Sequence, residues 1–364
     1  MDQGKYDWTQ LGKKYDDFSA PGFEVSVGGK ELTGQKYHIP FLEVELTADG
    51  TAGGCTFALE NLFDFDKSKW DNSASDTIKA GAKLVVKGGY VQKKEIFYGY
   101  VDDYSLDFQA EGCPRISVTG IDGLGYLMSL REPIYAGKKK PTEIVKSILN
   151  KSVSAGFAKK VTVGSLSGFE TPLVKEEIDD WKFLNLLSQR FGMSLFVVDG
   201  EIIFDDVTSS TSPIMTLTLG QGLYSFRKRV SLAHQIGKVE VWGRDVNQKA
   251  VKGTASSVTA GGSGKSAAQL VSALKDAALR EYSEFARTQD ECKTLAQRRL
   301  NGVAMGLVSG GGECIGMPEL IPGRYIEIDG GDSHSNGTYF LSKVKHQFTE
   351  DGYRTSFEIK GAKA

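Results

Sequence analysis

Two stretches of the chain carry the same order of glycines about 240 residues apart, and this repeat restricts the fold more than any other feature. Residues 78–90 read IKAGAKLVVKGGY, and residues 320–332 read LIPGRYIEIDGGD. Gly81, Gly88 and Gly89 match Gly323, Gly330 and Gly331, each 242 residues later. Spacing that is kept through a strand and a Gly-Gly turn indicates a repeated structural unit.

The repeat continues beyond each Gly-Gly turn. Phe97 and Val101 match Phe340 and Val344 at 243 residues, Gly112 matches Gly352 at 240, and Gly120 matches Gly361 at 241. Offsets that drift by only a few residues are typical of loops that changed length within one repeated motif. The pattern predicts two β-barrels that arose by duplication. The alternative is two unrelated antiparallel meanders, which share some features by chance.

Strand-like segments fill both β-rich regions. From 22 to 120 they include FLEVEL, KLVVKG, IFYGYV, YSLDF and RISVTG; from about 213 they include IMTLTL, KVEVWGR, RYIEIDG, TYFLSKVKHQF and RTSFEIKG. Alternating apolar and polar residues are typical of strands with one buried face. Glycine accounts for 43 of 364 residues, which favours a turn-rich β fold.

Between these regions the apolar spacing becomes helical. Two helices are predicted, one after Pro141 in TEIVKSILNK and one in DWKFLNLLSQRFG, which Asp179 or Asp180 can cap and Gly192 can end. Their apolar faces hold Ile144, Val145, Ile148 and Leu149 in the first helix and Phe183, Leu184, Leu187 and Phe191 in the second. The apolar segments around 199–200, an Asp-Gly pair, predict a β-hairpin.

These patterns predict a mainly β chain with an α+β insert. The expected parts are an N-terminal arm at 1–21, a first barrel at 22–130, a small helix–hairpin domain at 131–212 and a second barrel at 213–364. Within the second barrel, a Gly/Ser linker and two helices, SAAQLVSALKDAALREY and DECKTLAQRRLNG, are expected at about 256–302.

The segment TAGGSGKS ends like a phosphate-binding P-loop, at Gly264-Lys265-Ser266. A P-loop needs a glycine five positions before its Gly-Lys-Ser, so that backbone N–H groups can surround the phosphates, and this position holds Thr259. The preceding residues are small and polar rather than a buried strand. We therefore predict a Gly/Ser linker, and no nucleotide site, at 261–266.

Composition narrows the function classes. A net charge of −2 argues against a broad nucleic-acid-binding surface. The chain has neither an apolar run of 18 residues nor a signal-peptide core, which predicts a soluble protein made in the cytoplasm. Cysteines and histidines are scattered, which favours reduced thiols and predicts no metal site unless the fold gathers them. They are Cys55, Cys113, Cys292, Cys314, His38, His234, His334 and His346.

Several short polar motifs lack the context that chemistry requires. Catalytic carboxylate pairs need one buried and one solvated member, whereas the candidate pairs lie on a strand's polar face or at turns. The pairs are Glu43/Glu45, Asp102/Asp103 and Asp205/Asp206, and the basic runs are Arg227–Arg229 and Lys138–Lys140. Residues 120–125, GIDGLG, do not match the dinucleotide fingerprint. We expect no catalytic residue, no cofactor and no metal site.

Three stretches together resemble one family. They are the β-rich N-terminal region, the segment DDWKFLNLLSQRFGMSLFVVDGEIIFDD, and the closing strands with Tyr339, His346 and Tyr353. This combination resembles the baseplate hub proteins of contractile phage tails and related injection machines. The group includes the phage late-control protein D family and the N-terminal half of type VI secretion valine-glycine-repeat spike proteins. The resemblance covers roughly residues 20–362.

The resemblance implies two tail-tube-like barrels per subunit and a homotrimer that adapts a six-fold tail tube to a three-fold spike. Implied partners are the tail tube protein or tube initiator, a separate spike protein, baseplate wedge proteins and the tape measure protein. It implies no membrane, no sequence-specific nucleic acid and no enzyme activity. Its location would be the tail baseplate of a virion or injection particle, after synthesis in the bacterial cytoplasm.

Spike-fused relatives continue into further domains, whereas this chain ends shortly after its last strand, so a separate spike is expected. The competing readings are a β-rich hydrolase, an NTPase that uses residues 261–266, and a carbohydrate-binding module. An enzyme should show convergent polar groups in one pocket. A sugar binder should be monomeric with aromatic residues exposed on one face.

Overall fold

The structure is a computed structural model of the full chain, and several short segments fall outside its description. The described residues are 4–34, 37–64, 69–70, 73–108, 114–135, 140–166 and 173–364. Gly112, Cys113, Lys138 and Lys139 therefore lie outside the described residues, and with them part of the repeat, one cysteine and most of one basic run. The fold is mostly β, as the sequence predicts.

The first β-rich region forms one antiparallel sheet behind a short N-terminal helix. Its elements are α1 (Trp8–Lys14), β1 (Gly22–Val27), β2 (Lys30–Glu31), β3 (Leu42–Thr47), β4 (Gly54–Leu59), β5 (Phe63–Asp64), β6 (Lys69–Trp70), α2 (Ser73–Thr77), β7 (Lys83–Gly89), β8 (Lys93–Asp107) and β9 (Arg115–Ile121). The sheet order is β2-β1-β7-β8-β9-β4-β3. Among the described strands, β1 and β3 do not pair with each other, so this sheet is open.

The insert follows, and its first helix, which shares the insert's core, lies before the predicted start at 131. Its elements are α3 (Gly123–Leu127), β10 (Ile134–Tyr135), α4 (Pro141–Ser154), β11 (Lys160–Val163), β12 (Val174–Lys175), α5 (Asp180–Phe191), β13 (Ser194–Val198) and β14 (Glu201–Asp205). Both predicted helices and the hairpin are confirmed. Asp179 caps α5, Gly192 ends it in the left-handed conformation, and Asp199 and Gly200 both have positive φ, which a tight hairpin turn requires. The sequence did not predict β11, which pairs in parallel with β14.

The remaining elements complete a closed barrel and a second small sheet. They are β15 (Pro213–Leu219), β16 (Gly222–Val230), β17 (Lys238–Arg244), β18 (Ala250–Ala255), α6 (Ala267–Leu270), a 3-10 turn (Ser272–Asp276), β19 (Ala278–Tyr282), α7 (Gln289–Ala304), β20 (Val308–Ile315), β21 (Tyr325–Asp329), β22 (Gly337–Thr349) and β23 (Gly352–Gly361). The barrel order is β15-β21-β22-β23-β20-β16, and a short β15–β16 pairing closes it.

The two β-rich regions have the same strand order. Numbered within each region, the six main strands lie in the order first-fourth-fifth-sixth-third-second in both. The fifth strand carries a bulge at the same place, between Val101 and Asp103 in β8 and between Leu341 and Lys343 in β22. One strand differs in direction, because β1 is antiparallel to β7 whereas β15 is parallel to β21.

Strand register corrects part of the sequence match. Gly81 N–H donates to Val101 O (2.8 Å), and Gly323 N–H donates to Leu341 O (2.9 Å), so Gly81 does correspond to Gly323. Val101 however corresponds to Leu341, not to Val344. In the same register, the residue that corresponds to Phe340 is Tyr100 and not Phe97. Apolar residues recur at short intervals along a strand, which allowed the sequence alignment to slip.

Register also moves the last matched glycine. Tyr100 lies opposite Ile121, and Phe340 lies opposite Lys360. Gly120 therefore corresponds to Ile359, and Gly361 corresponds to Asp122. Neither glycine has a glycine at the corresponding position, so the glycine pattern gives the wrong offset here and only strand pairing resolves it.

Residues 231–307 are an insertion within the second region, and two predictions about it were wrong. The predicted helix SAAQLVSALKDAALREY is a four-residue helix, a 3-10 turn and β19, which pairs in parallel with β17. The strand KVEVWGR belongs to the small sheet β18-β17-β19, not to the barrel. The helix at DECKTLAQRRLNG is confirmed as α7, which a Thr288–Glu291 capping box begins.

Two main cores result. One contains the inward faces of both β-rich regions, with Tyr15 from the N-terminal arm. The other joins the insert to the 231–307 insertion, since Leu184 and Leu187 of α5 share it with Val241 of β17 and Leu295 of α7. The segments added to the two β-rich regions therefore pack against each other.

Candidate functional site

The joint between the two β-rich regions is a strand pairing. Residues 42–47 of β3 pair antiparallel with 343–348 of β22, which merges the open sheet and the barrel into one sheet of 13 strands. On one face, Lys343 Nζ lies 2.7 Å from Glu45 Oε1 and Lys345 Nζ lies 2.8 Å from Glu43 Oε1. The Glu43/Glu45 pair, predicted to be a solvated face, thus forms a half-buried ion-pair ladder across the joint.

The other face of this joint is apolar and buried. Val44 and Val344 are fully buried, and Phe348 stacks on Tyr353 with ring centroids 3.9 Å apart. Phe348 also meets Phe23 of β1 edge-on at 5.2 Å. Alternation along β3 and β22 sends charged residues to one face and apolar residues to the other, which fixes the register.

The C-terminal tyrosine and histidine that marked the resemblance lie beneath the joint. Tyr353 OH lies 2.8 Å from His346 Nδ1, which also lies 3.2 Å from Thr355 Oγ1. Burial lowers the pKa of His346 to about 3, so the imidazole is neutral. A neutral, enclosed histidine whose Nδ1 contacts two hydroxyls acts here in packing rather than in proton transfer with solvent.

The N-terminal arm is attached to the barrel by a buried carboxylate. Lys14 Nζ (2.8 Å) and Tyr15 OH (2.5 Å) both donate to Glu319 Oε1. Burial, followed by the charge of Glu319, raises the pKa of Tyr15 far above its usual range. Glu319 Oε2 is buried and has no hydrogen-bond partner among the described residues. The sequence did not predict this contact, because 304 residues separate Tyr15 from Glu319.

Helix α5, the most specific mark of the resemblance, joins the insert to the first sheet. The Trp181 indole N–H (2.8 Å) and the Asn185 amide (3.2 Å) both donate to Gly50 O, in the β3–β4 turn. Gly50 has φ of +91°, and an added Cβ would lie 1.9 Å from Asn185 Oδ1. Below them, Lys175 and Lys151 form ion pairs with the buried Asp180 carboxylate.

The segment at 259–266 is ordered by the rest of the chain. Asn301 Oδ1 accepts from the N–H groups of Thr259 (3.0 Å) and Ala260 (3.2 Å). Lys265 and Ala364 exchange two backbone hydrogen bonds of 2.9 Å. The linker prediction therefore describes its composition but not its structure.

The other singled-out motifs are spread over the surface or the core. Asp102/Asp103 and Arg227–Arg229 lie on two separate strand edges and are mostly exposed. Asp205/Asp206 form the turn after β14, where Asp206 N–H donates to Asp205 Oδ1 (2.8 Å). Cys55, Cys292 and Cys314 are buried and separate.

Chemical sites are sparse in the part of the chain that the structure describes. No group of three or more His, Cys, Asp or Glu residues there could hold a metal ion. A cleft of about 480 Å³ lies between α5, β19 and α7 and is lined by Leu186, Arg190, Glu281, Phe285 and Arg299. Among the described residues, no helix is long and apolar enough to cross a membrane.

Solved structures share this fold over nearly its whole length. A tail protein from Neisseria meningitidis MC58 superposes with a TM-score of 0.65 at 14% identity, covering 94% of this chain and 97% of that one. The 43 kDa tail protein of prophage MuSo2 from Shewanella oneidensis gives 0.65 at 15% identity, covering 93% and 98%. At these identities the similarity shows the fold, and it confirms the tail-protein fold that the sequence resemblance implies.

A third similar structure comes from a secretion machine. An Escherichia coli component of the type VI secretion system, described as structurally similar to bacteriophage T4 tail proteins, superposes with a TM-score of 0.54 at 13% identity. The match covers 92% of this chain and 76% of that one. No curated protein matches the chain in sequence.

A protein-family model gives the family directly. The model of the Alg8 N-terminal domain matches residues 20–350, which include the first β-rich region, the insert, and the second β-rich region up to the end of β22. Because this match extends over most of the chain, the protein belongs to the Alg8 N-terminal domain family.

Proposed function

We propose that the chain is a structural baseplate hub that forms a homotrimer and joins a hexameric tail tube to a separate trimeric spike. The observation that carries the proposal is the shared strand order of two six-stranded units within one chain. A six-fold tube and a three-fold spike cannot share one repeating contact. Three copies of a chain with two similar barrels present six similar edges to the tube and three unlike faces to the spike.

The partners follow from this geometry and from the proteins that share the fold. Two of those are named as tail proteins and one as a type VI secretion component. We propose contacts with the tail tube or its initiator on one side, the spike on the other, and wedge and tape measure proteins around them. The particle would be a contractile phage tail, a tailocin or another injection system, with the late-control protein D family as a relative.

We propose no catalytic role. The singled-out polar motifs lie apart, and the conspicuous buried ones join parts of the fold, as Asp180 and Glu319 do. Proposed parts are an arm at 1–21, a first barrel at 22–130, an insert at 131–212 and a second barrel at 213–364. The 231–307 insertion of the second barrel would form one body with the insert, because they share a core.

The test is the mass of the full chain alone and with tube and spike partners. Native mass spectrometry should give three times 39.6 kDa, at least when a partner is present. Electron microscopy of the particle should then place the chain on the tail axis. A chain that stays monomeric with every partner, or that lies off the axis, would overturn the proposal. A carbohydrate-binding module would instead be monomeric and bind sugar, and a β-rich hydrolase would have convergent polar groups in one pocket.

A further inference from the structure

The joint between β3 and β22 has an unused counterpart. In the shared strand order, β8 corresponds to β22 and β16 corresponds to β3. Within the chain, β22 pairs with β3, but the matching segments of β8 and β16 have no strand on the same edge among the described residues. The chain therefore contains one formed strand pairing, β3–β22, which we call the made joint. It also contains the two strand edges, on β8 and β16, of an equivalent pairing that is not formed within the chain, which we call the unmade joint.

Register gives residue-level equivalence. The shared bulge aligns Asp103 with Lys343, so Tyr104, Leu106 and Phe108 correspond to Val344, His346 and Phe348. Cys55 and Gly310 occupy matching positions in the third strand, and their neighbours in the second strand are Val44 and Lys228. Arg227 and Arg229 therefore correspond to Glu43 and Glu45.

Transferring the pairing of the made joint to the unmade one gives a defined register. Tyr104 would lie opposite Val230, Ser105 opposite Arg229, Leu106 opposite Lys228, Asp107 opposite Arg227, and Phe108 opposite Phe226. The two halves are on the same chain but belong to different repeats, so a second copy supplies the partner strand. A contact that repeats head to tail closes into a ring if its rotation allows closure, and otherwise forms open chains.

The charged residues on β8 and β16 support this register. Compared with the made joint, the acidic and basic residues have exchanged strands. In the made joint the basic residues are on the fifth strand and the acidic ones on the second, with Lys343 bound to Glu45. In the unmade joint the fifth strand holds Asp103 and Asp107, and the second strand holds Arg227 and Arg229. The ion pair Asp103–Arg229 would copy Lys343–Glu45. Opposite charges across strands stabilise a pairing, and like charges oppose the wrong one.

Exposure points to the same two edges. Tyr104, Leu106 and Phe108 are 37%, 44% and 58% exposed, whereas the matching Val344, His346 and Phe348 are at most 3% exposed. On the other half, Phe226, Lys228 and Val230 line a groove of about 710 Å³ beside the loop 332–336. Apolar side chains at positions that are buried in one repeat indicate a surface that is covered in the assembly.

We propose that β8 of one copy pairs antiparallel with β16 of the next, in the register Tyr104 opposite Val230, and so repeats between copies the β22–β3 joint within each copy. This inference rests on the proposed trimer and names the surface that forms it. In a ring of three, made and copied joints alternate, which gives six joints around six six-stranded units.

Charge reversal tests the pairing in the full chain. R227E/R229E puts Glu opposite Asp, and D103R/D107R puts Arg opposite Arg, so each should weaken self-association at least about tenfold, since like charges oppose each other across the strands. The fourfold variant, which restores opposite charges, should recover it. All four residues are exposed, and unchanged circular dichroism and thermal unfolding of the monomer will show that the variants fold. If neither R227E/R229E nor D103R/D107R weakens self-association, the inference is overturned.

Cysteine pairs test the register while keeping the charges. Y104C/V230C should form a disulfide between copies and give linked dimers and trimers on a denaturing gel, because directly opposed antiparallel Cα atoms are within disulfide reach. S105C/V230C, one residue out of register, is the control. Equal linking in both, or none in the first, would overturn the inference.

The outcomes separate this inference from the proposed function. A trimer without the Y104C/V230C link contradicts the strand pairing and leaves the hub proposal intact. Linked copies that grow into open chains rather than closing at three support the pairing and contradict the hub. A chain that is monomeric under every condition overturns both.

Discussion

The two β-rich regions share a strand order but close in different ways. The second is a barrel sealed by the β15–β16 contact, whereas the first leaves β1 and β3 apart and pairs β3 with β22 of its neighbour. Their connections differ as well. The loop between the second and third strands spans 48–53 in the first region and 231–307 in the second.

This difference shows where each region obtains its support. The second barrel closes on itself apart from the outer parts of β16 and β22, and β3 of the first region covers the outer part of β22. The first sheet depends on others: on the barrel through β3, on α5 through Gly50, and on the N-terminal arm, whose Phe18 ring meets Tyr90 edge-on with centroids 5.5 Å apart. One strand order thus yields a closed barrel and an open sheet.

The largest expected effect comes from removing a phenylalanine ring at matched positions of the two regions, Phe348 and Phe108. Phe348→Ala should lower the free energy of unfolding by about 3–5 kcal/mol, because it removes a buried ring stacked on Tyr353. Phe108→Ala, at the equivalent place in the first region, should change it by no more than ~0.5 kcal/mol. Urea unfolding of the monomeric chain measures both.

Two results of that experiment would break the comparison. Similar losses for both variants would mean that Phe108 is buried in the monomer and that the regions do not differ at this edge. A small loss for Phe348→Ala would mean that the joint contributes little to stability. Phe108→Ala should still weaken association between copies, which sedimentation at higher concentration would detect.

Local patterns predicted the elements better than their partners. Helix α5, its Asp179 cap and the Asp199-Gly200 hairpin depend on neighbouring residues, and the sequence predicted them. The β17–β19 sheet failed because KVEVWGR looks the same in a barrel or beside one, and ALREY follows a helix-like segment. The Lys343–Glu45 and Tyr15–Glu319 contacts join residues about 300 apart, so no sequence spacing announces them.

A smaller effect should come from a buried acid that only the first region has. Asp122 accepts from Gly53 N–H (2.6 Å) and Leu124 N–H (2.8 Å), and its counterpart in the second region is Gly361. Burial raises the pKa of Asp122 from 3.8 to about 7. Between these values the folded chain binds more protons than the unfolded chain, so the stability from this group is present below pH 4 and lost as the pH rises towards 7.

The measurement is the slope of unfolding free energy against pH. Asp122 should contribute a fall of up to about 1.4 kcal/mol per pH unit in this window. Asp122→Asn keeps a helix cap without a titrating group, so its profile should lack that fall. The difference between the two profiles isolates Asp122 from other carboxylates. Parallel profiles would show that the acid is ionised in the fold and that the regions do not differ here.

The smallest effect is expected in the insertion that distinguishes the second region. Lys265→Ala should change the free energy of unfolding by no more than ~0.5 kcal/mol, because the structure uses the backbone of this residue and not its ammonium. Lys265 N–H donates to Ala364 O (2.9 Å) and Ser266 N–H donates to Gln269 Oε1 (2.9 Å), so two N–H groups that a P-loop would direct at phosphate are already bonded.

Lys275→Ala, at an exposed lysine of the same insertion, is the matched control. Thermal unfolding with and without Mg-ATP should be the same for the native chain and both variants. Stabilisation by Mg-ATP that Lys265→Ala alone abolishes would instead make 261–266 a nucleotide site, and the second region would then differ from the first in chemistry as well as in closure.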